Sequence, residues 1–236
     1  MQNPFIYYGI CYYAGRDKRS NIKKHYNIFK SLEYTNKKFF VVFNIDSFDK
    51  KRRNNIAKHI INKLNIKVDY LTDYNWGGTI GALYNLFKHL KKNKNQNDII
   101  AFFEEDFYPI DENWLFDALK YLKDFDYIGE GTKESNNPEL CEVKNSNNCK
   151  DRTGKIKKKM KDFEVWTDGG FYFSNLYKLN AFEKKIGIFH KGNMKKKYER
   201  QLDGIDIGEV GFPTLLYHNN FKFAGLFRKK YFIHEE

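Results

Sequence analysis

The sequence predicts an α/β protein with a mostly parallel sheet that is covered by helices on both faces. Short runs rich in Ile, Val, Phe and Tyr alternate in the first half of the chain with segments whose apolar residues recur at helical spacing. Strands that alternate with helices in this way pair in parallel through right-handed crossovers. A chain of 236 residues, of which 41% are hydrophobic, is long and apolar enough to bury one core.

The first half of the chain carries four predicted strands with a helix in each gap. The predicted strands are 5–13, 39–45, 66–71 and 99–106, and the predicted helices are 21–34, 50–64 and 80–90. The first strand is a continuous apolar run bounded by Gly15, which is typical of a strand buried on both faces. Each helical segment carries one apolar stripe that would face the sheet.

The second half of the chain is less regular. The predicted elements are a helix at 113–123, strands at 163–174 and 221–227, and a loop leading into a helix at 204–217. Residues 130–161 are polar, rich in lysine and without periodicity, so we expect a long loop or insertion there, of the kind that forms lids and flaps. We predict a single domain over 1–236, with one half at 1–110 and a second half at 111–236.

The chain is strongly basic, with a formal net charge of +12 at pH 7. Such a charge attracts phosphate groups and raises the question of a nucleic-acid partner. The positive residues are mostly lysines interleaved with asparagines, as at 91–97, which is more typical of a solvated surface. We therefore expect no nucleic-acid partner, although a nucleotide diphosphate or an acidic acceptor would be attracted by the same field.

Three cysteines indicate neither a disulfide framework nor a four-ligand zinc site. No apolar run reaches the roughly 18 residues of a membrane-spanning helix. Residues 1–13 lack the basic start and the small-residue cleavage site of a signal peptide. A soluble, cytoplasmic protein is expected.

The fourth predicted strand ends abruptly in three acidic residues, within the string FFEEDFYP. Glu104, Glu105 and Asp106 would lie at the carboxyl edge of the sheet, where ligands bind in open α/β folds. Carboxylate oxygens are the ligands that Mg²⁺ and Mn²⁺ prefer, and water and a substrate diphosphate would complete the coordination. The alternative is a strand that simply ends in solvated acids.

The segment before this strand, YNWGGTIGALYNLF, is rich in glycine. Asn75 and three glycines, Gly77, Gly78 and Gly81, lie at the start of a predicted helix, where glycine lets the backbone approach a ligand closely. In this order of motifs the chain resembles the GT-A glycosyltransferases, especially the inverting family 2, in which an Asn-x-Gly element leads into a helix and a later strand ends in a DxD-type motif. The resemblance covers most of the chain. The motif here is EED, which leaves the participation of Glu104 open.

The resemblance implies a GT-A-type, Rossmann-like fold with a smaller acceptor-side half and a nucleotide-binding half at 1–110. It implies a transferase that moves a sugar from a nucleotide-diphosphate sugar, most often a UDP-sugar, to a hydroxyl of a glycan or another acceptor. Mn²⁺ or Mg²⁺ would be bound by Asp106, as the principal ligand, and by Glu105. Asn75, Gly77 and Gly78, together with the two glutamates of the acidic motif, would lie along the bound nucleotide sugar.

The resemblance also implies that the loop after the first strand lines the nucleotide. Tyr12, Tyr13, Ala14 and Arg16 lie there, and a tyrosine ring could stack on the base while the arginine reaches phosphate oxygens. Asp46 follows the second predicted strand at the same edge and would face the base or the ribose. The alternatives are that the tyrosines belong to the core and that Arg16 is merely solvated.

The string WTDGGFYFS combines a carboxylate and two glycines with aromatic residues, which suits contact with a sugar ring. In GT-A enzymes a glycine-containing strand of this kind lies near the donor sugar and the acceptor. Trp166, Asp168, Gly169 and Gly170 are therefore candidate substrate residues. The alternative is a tight turn between strands, because Asp-Gly is a common turn signal.

Late acidic residues supply the candidates for a catalytic base. Inverting transfer needs a carboxylate that removes the proton of the acceptor hydroxyl. The resemblance points to Glu209, at the start of a probable helix, with Asp206 and Asp203 as alternatives; an acid there would also stabilise the helix dipole. His234 could complete the metal site, as a late histidine does in several GT-A enzymes, and imidazole suits Mn²⁺ better than Mg²⁺. A solvated histidine near a chain end is the alternative.

Two other functions remain open from the sequence. A nucleotidyltransferase would use a similar crevice and metal but attack phosphorus, and its basic, Gly-rich first loop is only loosely matched by AGRDKR. A basic nucleic-acid-binding protein would explain the charge but not the acidic strand end. A dinucleotide-dependent oxidoreductase is disfavoured because no G-x-G-x-x-G follows the first strand. Peripheral membrane association and the oligomeric state stay open.

Overall fold

Strands and helices alternate along the first half of the chain, as the sequence predicts. The computed structural model describes residues 3–15, 19–74, 78–92, 95–131, 133–134, 140–142, 144–145, 165–166, 168–186, 212, 216 and 219–235. The strands are β1 (Ile6–Tyr13), β2 (Lys37–Ile45), β3 (Asp69–Tyr74), β4 (Ile99–Glu104), β5 (Phe107–Pro109), β6 (Tyr127–Gly131), β7 (Lys133–Glu134), β8 (Leu140–Glu142), β9 (Lys144–Asn145), β10 (Val165–Trp166), β11 (Asp168–Asn175), β12 (Phe223–Phe227) and β13 (Phe232–His234). The helices are α1 (Arg19–Ser31), α2 (Lys50–Leu64), α3 (Gly78–Leu90), α4 (Trp114–Tyr121), α5 (Leu176–Ile186) and α6 (Arg228–Tyr231).

Nine of the described strands form one sheet, in the order β3-β2-β1-β4-β11-β6-β12-β8-β7. β1 pairs in parallel with β2 and β4, β2 pairs in parallel with β3, and β6 pairs in parallel with β12. β11 is antiparallel to both β4 and β6, so it is the one reversed strand among the first seven of this order. β8 and β7 extend the sheet as an antiparallel pair beyond β12. The predicted mostly parallel α/β sheet is confirmed.

Helices cover both faces of the sheet. Tyr7 and Cys11 of β1 belong to a core cluster with residues of α3 and α5, whereas Tyr8 and Ile10 belong to a second cluster with residues of α1, α2 and α4. Seven of the eight residues of β1 are buried, as expected for a strand covered on both sides. In the described parts of the chain, no helix has an apolar stretch long enough to cross a lipid bilayer.

Several strands differ from the prediction in their bounds; β11, for example, begins at Asp168 and not at 163. β3 covers Asp69–Tyr74 rather than 66–71, because it is an edge strand, half-buried along most of its length, and its residues lack the apolar run that marks a buried strand. β4 ends at Glu104 and not at 106, so Glu105 and Asp106 lie in the turn that follows it. The last predicted strand is confirmed as β12.

Strands also form where a loop is predicted. β6 reaches into the stretch 130–161, and β7, β8 and β9 lie within it, so the expected long loop or insertion contains strands at these residues. The sequence does not reveal β6 because only Tyr127 and Ile128 in it are strongly apolar, although the whole strand is buried. Residues 146–161 lie outside the described residues. So does the predicted segment 204–217, apart from Phe212 and Leu216, both of which are buried.

A buried histidine ties α1 to the end of β4. His25 is fully buried, and its Nε2 lies 3.1 Å from the backbone carbonyl oxygen of Glu104. Since a carbonyl oxygen only accepts, Nε2 carries the hydrogen, and Nδ1 accepts from the Tyr8 hydroxyl at 2.8 Å. Burial lowers the pKa of His25 to about 3, so the ring is neutral at pH 7.

This neutral ring predicts a pH-dependent loss of stability. In the unfolded chain His25 takes up a proton below its ordinary pKa of 6.5, whereas in the folded protein it stays neutral down to about pH 3, so stability falls as the pH decreases through this window. Between pH 7 and pH 5 this group should lower the free energy of unfolding by about 2 kcal/mol. We expect His25→Gln, which keeps an N–H donor but cannot be protonated, to lack this part of the loss.

Urea unfolding of both proteins at several pH values, in EDTA, measures this difference. Carboxylates titrate in both proteins and cancel in the comparison. Parallel curves of stability against pH for the two proteins would contradict the prediction.

Candidate metal centre

The three acidic residues lie at the carboxyl end of β4, where the chain turns into β5. Glu104 is the last residue of β4 and is half-buried, while Glu105 and Asp106 in the turn are buried, with exposed fractions of 1% and 9%. The predicted location at the edge of the sheet is therefore correct. The alternative of simply solvated acids is wrong, because a buried carboxylate needs partners.

A C-terminal strand brings an imidazole to these acids. β13 pairs antiparallel with β5, so that His234 lies opposite Phe107, and the backbone N–H of Glu235 donates to the carbonyl of Asp106 at 2.8 Å. This ladder places Nε2 of His234 3.6 Å from Oδ1 of Asp106. The side chain of His234, which is 38% exposed, is thus held beside the acidic turn by the pairing of these two strands.

Glu104, Asp106 and His234 form a cluster that fits a divalent cation, which we call the acid–imidazole cluster. One ligand atom of each residue lies within 4.8 Å of the others. Two carboxylates and one imidazole suit Mn²⁺, and the carboxylates also suit Mg²⁺. A hydrogen bond with Asp106 raises the pKa of His234, so protons and a metal compete for this imidazole. Glu104, whose participation the sequence leaves open, lies in this cluster.

Glu105 is not one of the three residues of the acid–imidazole cluster, and its predicted role as a metal ligand stays a prediction. Its Oε2 accepts a hydrogen bond of 2.7 Å from the backbone N–H of Tyr13, the last residue of β1. Because successive side chains at a strand end point in different directions, Glu105 points toward β1 while its neighbours face the cluster. Glu105 therefore fixes the start of the loop after β1.

The entry to α3 approaches the acidic residues from another side. The hydroxyl of Thr79 donates to Oε1 of Glu104, so the Tyr13 hydroxyl, 3.3 Å from Thr79 Oγ1, must be the donor in that contact. Gly78 has φ of 55°, a conformation that favours glycine, and its carbonyl accepts from Nδ2 of Asn44 at 2.9 Å. Of the predicted glycine element, Gly78 therefore lies beside Thr79, the partner of Glu104.

The predicted nucleotide residues of β1 and β2 are distributed between core and surface. The ring of Tyr12 is 1% exposed and packs edge-on against Phe43, so the prediction that it stacks on a base is wrong, and the core alternative is correct. Tyr13 and Ala14 are half-buried at the carboxyl end of β1. Asp46 is exposed directly after β2. Residues 16, 75 and 77, predicted as Arg16, Asn75 and Gly77, lie outside the described residues.

The predicted substrate segment is divided between the central sheet, which contains β11, and a two-stranded sheet of β10 and β9. Trp166 lies in β10, and Asp168, Gly169 and Gly170 begin β11, so the alternative of a tight turn is wrong. A Cβ at Gly170 would overlap the ring of Phe107, so only glycine allows β11 to lie against the residue that follows the acidic turn. Contact of these residues with a sugar stays a prediction. The predicted bases Asp203, Asp206 and Glu209 lie outside the described residues.

Sequence reasoning missed a buried ion pair beside the cluster. Glu130 has a side-chain exposure of 2%, and its Oε1 forms an ion pair with Nε of Arg228 at 3.2 Å. Its Oε2 accepts a hydrogen bond from the backbone N–H of Gly170 at 3.2 Å. Arg228 is 35% exposed, lies 6.0 Å from the ring of Phe107, and lowers the pKa of His234 by its charge. Arg228 therefore adds a positive charge next to the acid–imidazole cluster.

The signal for this pair in the sequence is weak. Glu130 falls in a stretch that looks like a polar loop, and Arg228 falls in one of many basic segments. Both residues lie at the carboxyl ends of adjacent parallel strands, β6 and β12, where their register is Glu130 opposite Leu226. Only the pairing of β6 with β12 reveals that Glu130 and Arg228 are in contact.

No family model matches the chain, and no curated protein is significantly similar to it in sequence. Solved structures are similar to it in fold. A mannose-1-phosphate geranyltransferase from Thermus thermophilus aligns with a TM-score of 0.55 and 9% identity over 98% of this chain and 76% of its own.

Two further structures are similar in fold. One is a protein from Bacillus anthracis described as a glucose-1-phosphate thymidylyltransferase, and the other is the galactosyltransferase LgtC in complex with donor and acceptor sugar analogues. The first aligns with a TM-score of 0.50 and 12% identity over 94% of this chain and 87% of its own. The second aligns with a TM-score of 0.50 and 12% identity over 93% of this chain and 72% of its own. With its mostly parallel sheet, the chain therefore has a GT-A-like fold, the fold of nucleotide-sugar transferases.

Proposed function

We propose that this protein is a metal-dependent glycosyltransferase that moves a sugar from a nucleotide-diphosphate sugar to an acceptor hydroxyl. The observation that carries the proposal is the acid–imidazole cluster at the carboxyl edge of a GT-A-like sheet. Glu104, Asp106 and His234 would hold Mn²⁺ or Mg²⁺. When bound, such an ion neutralises the charge on the departing nucleoside diphosphate. The family resemblance favours UDP as the nucleotide and a glycan as the acceptor.

The residues around the cluster would bind and orient the donor. Tyr13, Ala14 and Gly78 lie at the ends of β1 and the start of α3, so the nucleotide would contact this part of the edge. Glu105 would act as a positioning residue, because it fixes the backbone of Tyr13 and does not reach the cluster.

Arg228 would contact the diphosphate. Its Nε is engaged by the buried Glu130, which orients the guanidinium group beside the cluster. A guanidinium group binds phosphate oxygens through parallel N–H donors and stays charged at all working pH values. The negative charge on the leaving diphosphate would therefore be stabilised from this side by the protein itself.

A late carboxylate would serve as the base. Glu209, with Asp206 and Asp203 as alternatives, would take the proton of the acceptor hydroxyl as its oxygen bonds to the anomeric carbon. The bond between that carbon and the diphosphate oxygen breaks on the opposite face, and the electron pair leaves with the nucleoside diphosphate. Inversion of the anomeric configuration would follow.

The second candidate function is nucleotidyl transfer, which the fold similarity to a thymidylyltransferase favours. In that reaction a sugar phosphate would attack phosphorus, and pyrophosphate would leave. The imidazole in the cluster favours sugar transfer, since a late histidine completes the metal site in several GT-A enzymes. Analysis of the products separates the two functions, because sugar transfer releases a nucleoside diphosphate and nucleotidyl transfer releases pyrophosphate.

Asp106→Asn should abolish metal-dependent binding and transfer. The substitution removes a negative ligand of the cluster while keeping the shape of the side chain, so we expect donor hydrolysis with Mn²⁺ to fall about 100-fold or more. Isothermal titration of UDP with and without Mn²⁺, together with a donor-hydrolysis assay, measures both effects. Glu112→Gln, an exposed acid nearby, is the matched control. Full activity of Asp106→Asn at an unchanged melting temperature would remove Asp106 from the mechanism.

Replacing Arg228 should weaken binding of the diphosphate but not of the nucleoside. Arg228→Met removes charge-assisted hydrogen bonds, so the Kd of UDP should rise about 10- to 100-fold and that of uridine should stay the same. The variant is combined with Glu130→Gln, because a lone buried carboxylate would destabilise the fold. The Kd values of UDP and uridine are measured by titration into the Arg228→Met variant and into the double variant. An equal loss for uridine and UDP would assign Arg228 to structure alone.

Glu209→Gln should preserve donor binding and lose turnover. The amide keeps the size of the side chain but cannot accept the proton of the acceptor, so kcat should fall while the Kd of UDP with Mn²⁺ is unchanged. Asp206→Asn and Asp203→Asn are assayed in parallel. If one of these two loses turnover and Glu209→Gln does not, the base is reassigned to that residue.

A further inference from the structure

An exposed aromatic stack lies at the carboxyl ends of β2 and β3. Phe48, in the loop between β2 and α2, is 84% exposed. Its ring stacks on that of Tyr74, the last residue of β3, with centroids 4.2 Å apart and planes 21° from parallel. One face of Phe48 is therefore covered by Tyr74, and the opposite face is open to a planar ligand.

A buried arginine holds Phe48 in this exposed position. Arg53 of α2 is 9% exposed, and its Nη1 donates to the backbone carbonyls of Ser47 at 2.6 Å and of Phe48 at 3.0 Å. Asp49 caps the same helix by accepting from the N–H of Lys51 at 2.8 Å. Burying a guanidinium group is costly unless it is hydrogen-bonded, so these contacts fix the loop. The ring of Phe48 is therefore exposed although hydrogen bonds fix its backbone.

The second ring of the stack is fixed as well. The backbone N–H of Tyr74 is bound by Oδ1 of Asp73 at 2.8 Å, and Oδ2 of Asp73 accepts from Nδ2 of Asn85 in α3 at 2.5 Å. The backbone at both aromatic residues is thus held by hydrogen bonds. A ligand that stacks on a side chain with a fixed backbone has less of the protein to order.

The register of the sheet places the stack above the acid–imidazole cluster. Glu104 lies opposite Cys11, Cys11 opposite Val42, and Val42 opposite Leu71. β3 continues for three residues beyond Leu71, to Tyr74, which at roughly 3.3 Å per residue is about 10 Å beyond the level of Glu104. The Phe48–Tyr74 stack therefore lies at the same carboxyl edge of the sheet as the acidic residues, at the ends of β2 and β3, which precede β1 and β4 in the strand order.

We propose that the Phe48–Tyr74 stack binds the nucleobase of the donor, an inference that rests on the proposed function. A base that lies on the open face of Phe48 buries one of its own faces, and base–aromatic stacking tolerates different bases. Asp46, exposed two residues before Phe48, offers a carboxylate that accepts from a ring N–H of a base. The diphosphate would then extend from the stack toward the cluster at the end of β4.

The position in the sheet favours a base over an acceptor sugar. β2 and β3 lie on one side of β4, whereas β11, β6 and Arg228 lie on the other side. If the base lies on the stack and the diphosphate at the cluster, the donor sugar lies on the side of β4 that carries β11. An acceptor must approach that sugar and not the far end of the nucleotide.

Phe48→Ala tests the proposal in the full-length protein. Loss of the stacking face should raise the Kd of the nucleoside diphosphates that bind, measured over UDP, GDP, CDP, ADP and dTDP with Mn²⁺, by about 5- to 150-fold. The Kd of inorganic pyrophosphate with Mn²⁺ should be unchanged, because pyrophosphate has no base. Phe48→Trp should keep or improve nucleotide binding. Phe116→Ala, which removes a ring 68% exposed on α4, is the matched control and should change neither ligand.

The outcomes separate this inference from the proposed function. If the wild-type protein binds a nucleoside diphosphate and Phe48→Ala binds it equally well, the stack is not the base site, and the proposed function stands. If Phe48→Ala raises the Kd of the nucleotide and that of pyrophosphate equally, the inference is also overturned. The same holds if the substitution changes only the KM of an acceptor. If the wild-type protein binds no nucleotide of the panel, the proposed function fails, and the inference fails with it.

Discussion

The turn after β4 must accommodate three consecutive carboxylates, and the rest of the site depends on how it does so. Like charges a few ångströms apart repel one another and are protonated unless each has a partner. Each acid here is bound by a different element: Glu104 by the hydroxyl of Thr79, Glu105 by the backbone of Tyr13, and Asp106 by His234. Helix α3, strand β1 and strand β13 are therefore held around one turn.

Hydrogen bonds from other elements also fix the backbone of this turn. The neutral ring of His25 donates to the carbonyl of Glu104, and the N–H of Glu235 donates to the carbonyl of Asp106. Two backbone carbonyls on either side of Glu105 are thus satisfied by partners from α1 and from the residue after β13. A site held in this way is positioned before any ligand arrives, so binding does not have to order it.

Much of the fold follows from local pattern. β1 and β4 are continuous apolar runs, and their place in the centre of a parallel sheet follows from that alone. β6 is central too, but two of its residues are glycines, so pairing partners rather than composition decide its state. The bounds of β3 are predicted wrongly because β3 is an edge strand, and an edge strand does not need the apolar run by which buried strands are predicted.

The site is predicted in part for similar reasons. An acidic strand end at the carboxyl edge marks Glu104 and Asp106 directly, whereas the burial of Tyr12 depends on which face of β1 its ring occupies. The separation of Glu105 from its two neighbours needs the loop after β1, which no sequence pattern specifies. The pairing of Glu130 with Arg228 joins residues from different parts of the chain and becomes visible only with the strand order.

The pairing of β13 with β5 has a consequence for the order in which this molecule assembles. His234 is distant in sequence from Asp106, so the entropy of closing a long loop opposes their meeting until the intervening strands have paired. Local elements such as α1 and α3 do not require that closure. We therefore expect the acid–imidazole cluster to be completed late in folding, and a cation bound to it would stabilise the fully assembled chain over any partly folded form.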